Sequence, residues 1–208
     1  MIVRPTIEHY AREHTSPPSP LLAEVAAFTA AATDAPEMMT GAVEGALLAM
    51  LVAMVRPRRI LEIGTFTGYS ALSMAEAMPA GCRIVSLESN PRHAEFARRH
   101  IAASPYADRV DVCEGPALDT LAALKGPFDL VFIDADKPSY IRFLDATLPL
   151  LSEHGVIAVD NVLHFAITAD AGDAAAIEAF NAHVAGRADL IQVVLTVRAG
   201  LMLIRRAP

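Results

Sequence analysis

The chain has 208 residues, 53% of them hydrophobic and 20% charged, with a formal net charge of -7. That length buries one sizeable core, and that balance belongs to a globular chain rather than a disordered one. An acidic chain with no Lys/Arg-rich block excludes a broad nucleic-acid surface, because neutralising phosphates takes clustered cations.

The first residues, Met1-Ile2-Val3-Arg4-Pro5 with His9 and Arg12 following, do not read as a secretory signal, so the expected address is the cytoplasm. No membrane association is expected either: the longest uninterrupted apolar run, Gly45 to Val55, falls short of the roughly 18 residues of a span. A short polar helical arm precedes Thr15-Ser16-Pro17-Pro18-Ser19-Pro20, a link whose prolines bar helix. Leu21–Thr33 and Gly41–Val55 then read as helices, the second with Leu47, Leu48, Leu51 and Val55 at helical spacing and Pro57 as its stop. Residues 1–56 are thus a helical arm and lid, and residues 57–208 a core, within one structural domain.

From Arg58 onward short apolar runs alternate with amphipathic stretches. The runs are Ile60–Ile63, Arg83–Leu87, Val110–Val112, Leu130–Ile133, Gly155–Val159, Leu190–Leu195 and Leu201–Ile204. The clearest helical stripe is Tyr140, Phe143, Leu144, Thr147, Leu148 and Leu151. Alternation of this kind predicts an α/β fold, a doubly wound, mostly parallel sheet with helices on both faces. Only Thr196–Gly200 separates the last two runs, too little for a crossover helix, so they are expected to form an antiparallel hairpin at the sheet edge. That is the Rossmann-like sheet in its methyltransferase variant. Cys82 and Cys113 both fall in apolar segments and read as buried free thiols.

Open α/β sheets bind ligands at the carboxyl ends of their strands. The first run leads into Glu62-Ile63-Gly64-Thr65-Phe66-Thr67-Gly68-Tyr69-Ser70, a glycine-bearing strand-to-helix turn. Its spacing is neither G-x-G-x-x-G nor a P-loop, so neither nucleotide-phosphate fingerprint is present. Glu88 ends the second strand, where a carboxylate accepts hydrogen bonds from ribose hydroxyls. A nucleoside site without a pyrophosphate pocket suits S-adenosylmethionine (SAM). Asp134, Asp160 and Asn161, at the ends of the fourth and fifth strands, are hard oxygen donors of the kind that suits Mg²⁺ or another divalent cation. His164 stands alone and reads as a loop or pocket residue.

These stretches, with Glu114-Gly115-Pro116-Ala117-Leu118, Phe128–Lys137 and Asp160-Asn161-Val162-Leu163, resemble the cation-dependent class I O-methyltransferases, the family of catechol and caffeoyl-CoA O-methyltransferases. The resemblance runs from about Met38 to the C-terminus. It implies SAM as cofactor, bordered by Met38 and Thr40 from the lid, by Glu62, Gly64, Thr65, Phe66 and Ser70 around its methionine part, by Glu88 at the ribose, by Ala117 at the adenine, and by Asp134 and Asp136. It also implies a metal at Asp134, Asp160 and Asn161, proton removal by Lys137, a small hydroxylated acceptor such as a vicinal diol, and a homodimer. Two positions depart from the family pattern on the acceptor side. His164 stands where an aromatic is common, and Ala199 where an Asp commonly precedes the hairpin glycine. A metal-independent methyltransferase and a non-catalytic SAM-binding protein remain the alternative readings.

Overall fold

The computed structural model describes residues 2–208; Met1, the first residue of the segment read for a secretory signal, lies outside them. Its centre is one seven-stranded sheet built from β1 (Arg59–Ile63), β2 (Arg83–Glu88), β3 (Val110–Glu114), β4 (Phe128–Ile133), β5 (Leu151–Asp160), β6 (Leu190–Leu195) and β7 (Leu201–Arg206). The order is β3-β2-β1-β4-β5-β7-β6. The first five strands are parallel, and β7 runs antiparallel to both β5 and β6. The expected terminal hairpin is present, with β7 as its inner strand. Its Leu201, Met202 and Ile204 are buried, whereas Ile191, Val193 and Val194 of β6 remain exposed at the edge.

Period-two alternation divides the strand residues between two cores. Ile60, Leu130, Phe132 and Ala158 face one layer, formed with α2 (Pro20–Ala32), α3 (Gly41–Val55), α4 (Tyr69–Glu76) and α5 (Pro91–Ala102). Leu61, Ile63, Val131, Ile133, Ile157 and Val159 face the other, formed with α6 (Ala117–Ala123), α7 (Tyr140–Thr147) and α8 (Ala171–Ala185). The polar arm is α1 (Pro5–Glu13). Side-chain caps start several helices. Ser19 accepts from the Leu22 amide ahead of Pro20, Asn90 from those of Arg92 and His93 ahead of Pro91, and Asp170 from those of Gly172 and Asp173.

Three expectations need correction. The stripe from Tyr140 to Leu151 is not one helix: α7 stops at Thr147, Leu148–Leu150 is a 3-10 turn, and Leu151 already belongs to β5. Pro149 brings no amide to continue the ladder. The segment Pro36–Val55 is, with 20 residues and a mean hydropathy of 1.9, long and apolar enough to cross a membrane. Counting an uninterrupted run missed this, because Glu44 interrupts it. In the fold α3 lies against the core through Leu48, Leu51 and Val52, with Met50 and Met54 exposed. Finally, Cys82 is buried as expected, its thiol pushed up to about 11 mainly by that burial, but Cys113 is only half-buried.

Candidate active site

The strand order reverses between β1 and β4, and the carboxyl ends of the parallel strands there border a cleft of about 1060 Å³. Gly64 leaves β1 with φ +99°, and a Cβ on it would stand 1.9 Å from the Asp134 carbonyl oxygen. Only glycine lets the ends of β1 and β4 approach this closely. Beyond it, the Glu88 carboxylate organises the turn. One oxygen accepts from the amides of Thr65 (3.2 Å) and Phe66 (2.8 Å), and the other from that of Asn90 (2.8 Å). His93 approaches Glu88 to 4.0 Å and meets the Phe66 ring edge-on at 4.8 Å. Among the described residues four non-glycines take positive φ, and three of them, Phe66, Asn161 and Arg198, line the cleft. Backbone strain concentrated in this way is characteristic of sites the surrounding fold over-determines.

Met38, Thr40, Gly64, Thr65, Phe66, Ser70, Glu88, Ala117, Asp134, Asp136, Lys137, Asp160 and Asn161 all border this one cleft. Glu62 does not. It lies beneath the floor, fully buried, where Ser70 Oγ donates to one oxygen at 2.6 Å and Ser86 Oγ to the other. Burial pushes its carboxyl up to about 7 against the opposing effect of the two serine bonds. The folded state therefore holds this proton more tightly than the unfolded chain does. The stabilisation is complete below the ordinary value of 4.5 and is lost as pH rises through about 7. Glu62→Gln is expected to flatten the pH dependence of urea unfolding over that window by about 3 kcal/mol. A variant whose pH profile parallels the parent's would remove Glu62 as its source.

At the ends of β4 and β5 stand the acidic residues. Asp160, buried, accepts from its neighbour Asn161 twice, from the backbone amide at 2.6 Å and from the side-chain nitrogen at 2.8 Å. Burial and the nearby Asp134 carboxylate push its carboxyl up to about 7. Lys137 opens a 3-10 turn after β4, and its Nζ donates to Asp134 Oδ1 (3.1 Å), the Ala135 carbonyl (3.0 Å) and Tyr140 Oη (2.8 Å). Tyr140, fully buried, donates its hydroxyl hydrogen bond to the Asp160 carbonyl at 3.0 Å, so one chain of bonds spans β4 to β5. His164 also lines the cleft, its imidazole held below its usual range by burial and by Lys137.

Several cleft residues were missed in the sequence. Arg198, in the β6–β7 turn, donates to the carbonyls of Met39 (2.8 Å) and Glu37 (3.3 Å) and reaches Glu44 Oε2 at 3.4 Å. Glu44 is fully buried behind the cleft and held well above the usual carboxylate range by burial and by the Asp160 and Asp134 carboxylates. Its signal was available, since it is the single charge in α3.

Among the described residues no three His, Cys, Asp or Glu side chains converge into a metal-ligand cluster. What the cleft offers is two carboxylates and an amide. The raised Asp160 carboxyl records a like-charge conflict that a cation would relieve, and the donors are all oxygen, so the set fits a hard divalent ion.

A sheet of this order, five parallel strands closed by an antiparallel hairpin with a glycine turn at the switch point, has the architecture of the methyltransferase class. Residues 12–207 match the O-methyltransferase family model, and the chain belongs to that family. It is 43% identical to a catechol O-methyltransferase of Mycobacterium tuberculosis over 77% of this chain and 73% of that one. It is 37% identical to a caffeoyl-CoA O-methyltransferase of Eucalyptus globulus over 61% of this chain and 53% of that one. The SAH-bound Podospora anserina methyltransferase PaMTH1 superposes with a TM-score of 0.92, covering 98% of this chain and 94% of that one at 28% identity. The protein is a SAM-dependent O-methyltransferase.

Proposed function

We propose that the enzyme transfers the methyl group of SAM to one hydroxyl of a small vicinal diol of the catechol type, with Mg²⁺ or another divalent cation held by Asp134, Asp160 and Asn161. The observation that carries this reading is the placement of those three oxygen donors beside Lys137 at neighbouring strand ends of one cleft. The names of the catechol and caffeoyl-CoA relatives support it.

In this reading Glu88 holds the ribose diol, the Gly64–Ser70 turn the methionine part, and Ala117 the adenine, while Met38 and Thr40 close the lid side. Glu88→Ala is expected to weaken binding of S-adenosylhomocysteine (SAH) by about 1.5–3 kcal/mol. The ribose bonds go, and so does the anchor of the Thr65 and Phe66 amides. Calorimetry on folded variant checks it, and unchanged affinity would take Glu88 out of the site.

A divalent cation bound by the trio supplies Lewis acidity that favours ionisation of an acceptor hydroxyl. Lys137 Nζ receives the proton. To do so it would be a neutral amine, its two N–H groups shared among Asp134, the Ala135 carbonyl and Tyr140, all within 3.1 Å of Nζ, and its lone pair turned to the acceptor hydroxyl. The cleft walls hold the hydroxyl oxygen in line with the sulfonium methyl. As the new O–C bond forms the S–C bond breaks, leaving SAH, and this positioning supplies much of the acceleration. The segments His164–Gly172 and Thr196–Gly200 face the acceptor side and govern its choice.

The cytoplasmic address and a homodimer belong to the same proposal. Apolar side chains left exposed on α1 (Ile7, Tyr10) and α3 (Met50, Met54) support the dimer. The deciding experiment is methyl transfer from labelled SAM to a panel of vicinal diols by thoroughly metal-stripped enzyme, with and without added Mg²⁺. Restoration by Mg²⁺ is expected. Full activity without metal favours a metal-independent methyltransferase, a reading to which the mutual bonding of Asp160 and Asn161 gives some support.

A further inference from the structure

We propose that Arg198 is a positioning residue for methyl transfer: it clasps the lid segment Glu37–Thr40 to the tip of the β6–β7 hairpin, and buried Glu44 is the anchor that holds the clasp. This rests on the reading of the cleft as the SAM site.

The hairpin tip is a rigid post. The Val162 amide donates to the Gly200 carbonyl at 3.1 Å and the Leu163 amide to that of Ala199 at 2.8 Å, so the tip is tied to the segment that follows Asp160. Gly200 has φ +91°, and a Cβ there would stand 2.5 Å from Leu163 Cγ. The lid segment is the opposite case. It is a single 3-10 turn, Pro36–Met38, with Met38 exposed, yet Met38, Met39 and Thr40 all line the cleft. A segment with so few bonds of its own takes its position from what it is tied to. Arg198 supplies that tie across more than half the chain's length, its two terminal nitrogens spread over the Met39 and Glu37 carbonyls.

Two further observations show that the side chain itself matters. Arg198 adopts φ +48°, a conformation that favours glycine, where a long side chain is an expensive choice unless its contacts repay the strain. Its third partner, Glu44, is fully buried, and its Oε1 has no hydrogen-bond partner. A buried carboxyl with one oxygen unpaired depends on the partners left to the other, and Arg198 Nη1 reaches its Oε2 at 3.4 Å. The forked, planar group suits two carbonyls and a carboxylate together in a way an ammonium does not.

The test uses the full chain as wild type, Arg198→Ala, Arg198→Lys and Glu44→Gln, with SAH affinity by calorimetry, proteolysis of the lid with and without SAH, and steady-state kinetics. Arg198→Ala is expected to weaken SAH binding about tenfold, from loss of the charge-assisted bonds. The KM for SAM should rise in step while kcat changes much less, and the lid should be cut faster without SAH. Arg198→Lys should bind SAH with an affinity between the two. Glu44→Gln, which keeps the shape and can set an amide nitrogen where Oε2 accepts from Arg198, should move in the same direction. A folded Arg198→Ala protein with SAH affinity within about twofold of wild type overturns the proposal, including when its melting temperature falls, since a merely structural contact behaves that way. Should Arg198→Ala not fold, an Arg198→Lys protein indistinguishable from wild type in SAH affinity and KM overturns it instead. Wild-type enzyme that fails to bind SAH would refute the SAM site and not the clasp.

Discussion

Asp160→Ala is expected to lower methyl transfer by two orders of magnitude or more, because the substitution removes both a donor to the cation and an anchor for the acceptor. The SAH affinity of the variant should stay within about threefold of wild type, since Glu88 and the Gly64 turn lie on β2 and β1, away from Asp160. The structure adds a stability signature. Burial is the first cause that raises the carboxyls of Asp160 and Glu44, and a neighbouring carboxylate is the second, Asp134 for Asp160 and Asp160 for Glu44. Taking away one of these groups relieves that conflict, so the metal-free variant should melt no lower than metal-free wild type. Added Mg²⁺ should raise the melting temperature of wild type and leave the variant where it was, because a ligand stabilises only the state that binds it. Equal cation-induced shifts in the two proteins would dismiss Asp160 as a ligand, and retained activity would dismiss the metal reading with it.

Lys137→Ala is expected to divide the effects differently. Removal of a positioned general base costs about 10²–10⁴ in rate, and the loss should fall on kcat while SAH binding holds. Cation binding should hold or tighten, because Asp134 Oδ1 is freed of the Lys137 Nζ that stands 3.1 Å from it. The deficit should shrink as pH rises and the acceptor hydroxyl ionises unaided. Lys137→Arg should not rescue the rate, since a guanidinium keeps its proton throughout the accessible range. A pH-independent deficit, or recovery with arginine, would assign Lys137 to charge balance rather than to proton transfer.

Much of this chemistry is local in the chain, and that is why it was readable. Glu88 and Asp160 end β2 and β5, Gly64 and Asp134 directly follow β1 and β4, and in a doubly wound sheet the carboxyl strand ends meet at one edge whatever the intervening helices contain. Recognising the strands by their apolar runs was therefore enough to bring these residues together. The same logic placed Lys137 just past β4 and Asn161 just past β5. The caps Ser19, Asn90 and Asp170 are local in the same sense, because a cap and the amides it satisfies lie within one turn.

Tertiary structure alone decided the contacts between residues distant in the chain. Glu62 and Glu88 are both strand carboxylates, yet one faces serines beneath the floor and the other lines the cleft. Glu62 pairs in register with Ser86, so it shares a sheet face with Glu88 two residues further on, and only the depth along the strands separates the floor from the cleft mouth. Local pattern likewise extended α7 to Leu151, where Pro149 and the start of β5 end it. Glu44 breaks the apolar run of Pro36–Val55 and so hid its length, and the packing of α3 through Leu48, Leu51 and Val52 is a property of the fold. The pairing of Arg198 with Glu44 and with the Glu37 and Met39 carbonyls joins the hairpin to the lid. No periodicity encodes such a contact; it exists because folding lays the last hairpin of the sheet beside the first residues of α3 and leaves a buried carboxylate there with a cation within reach.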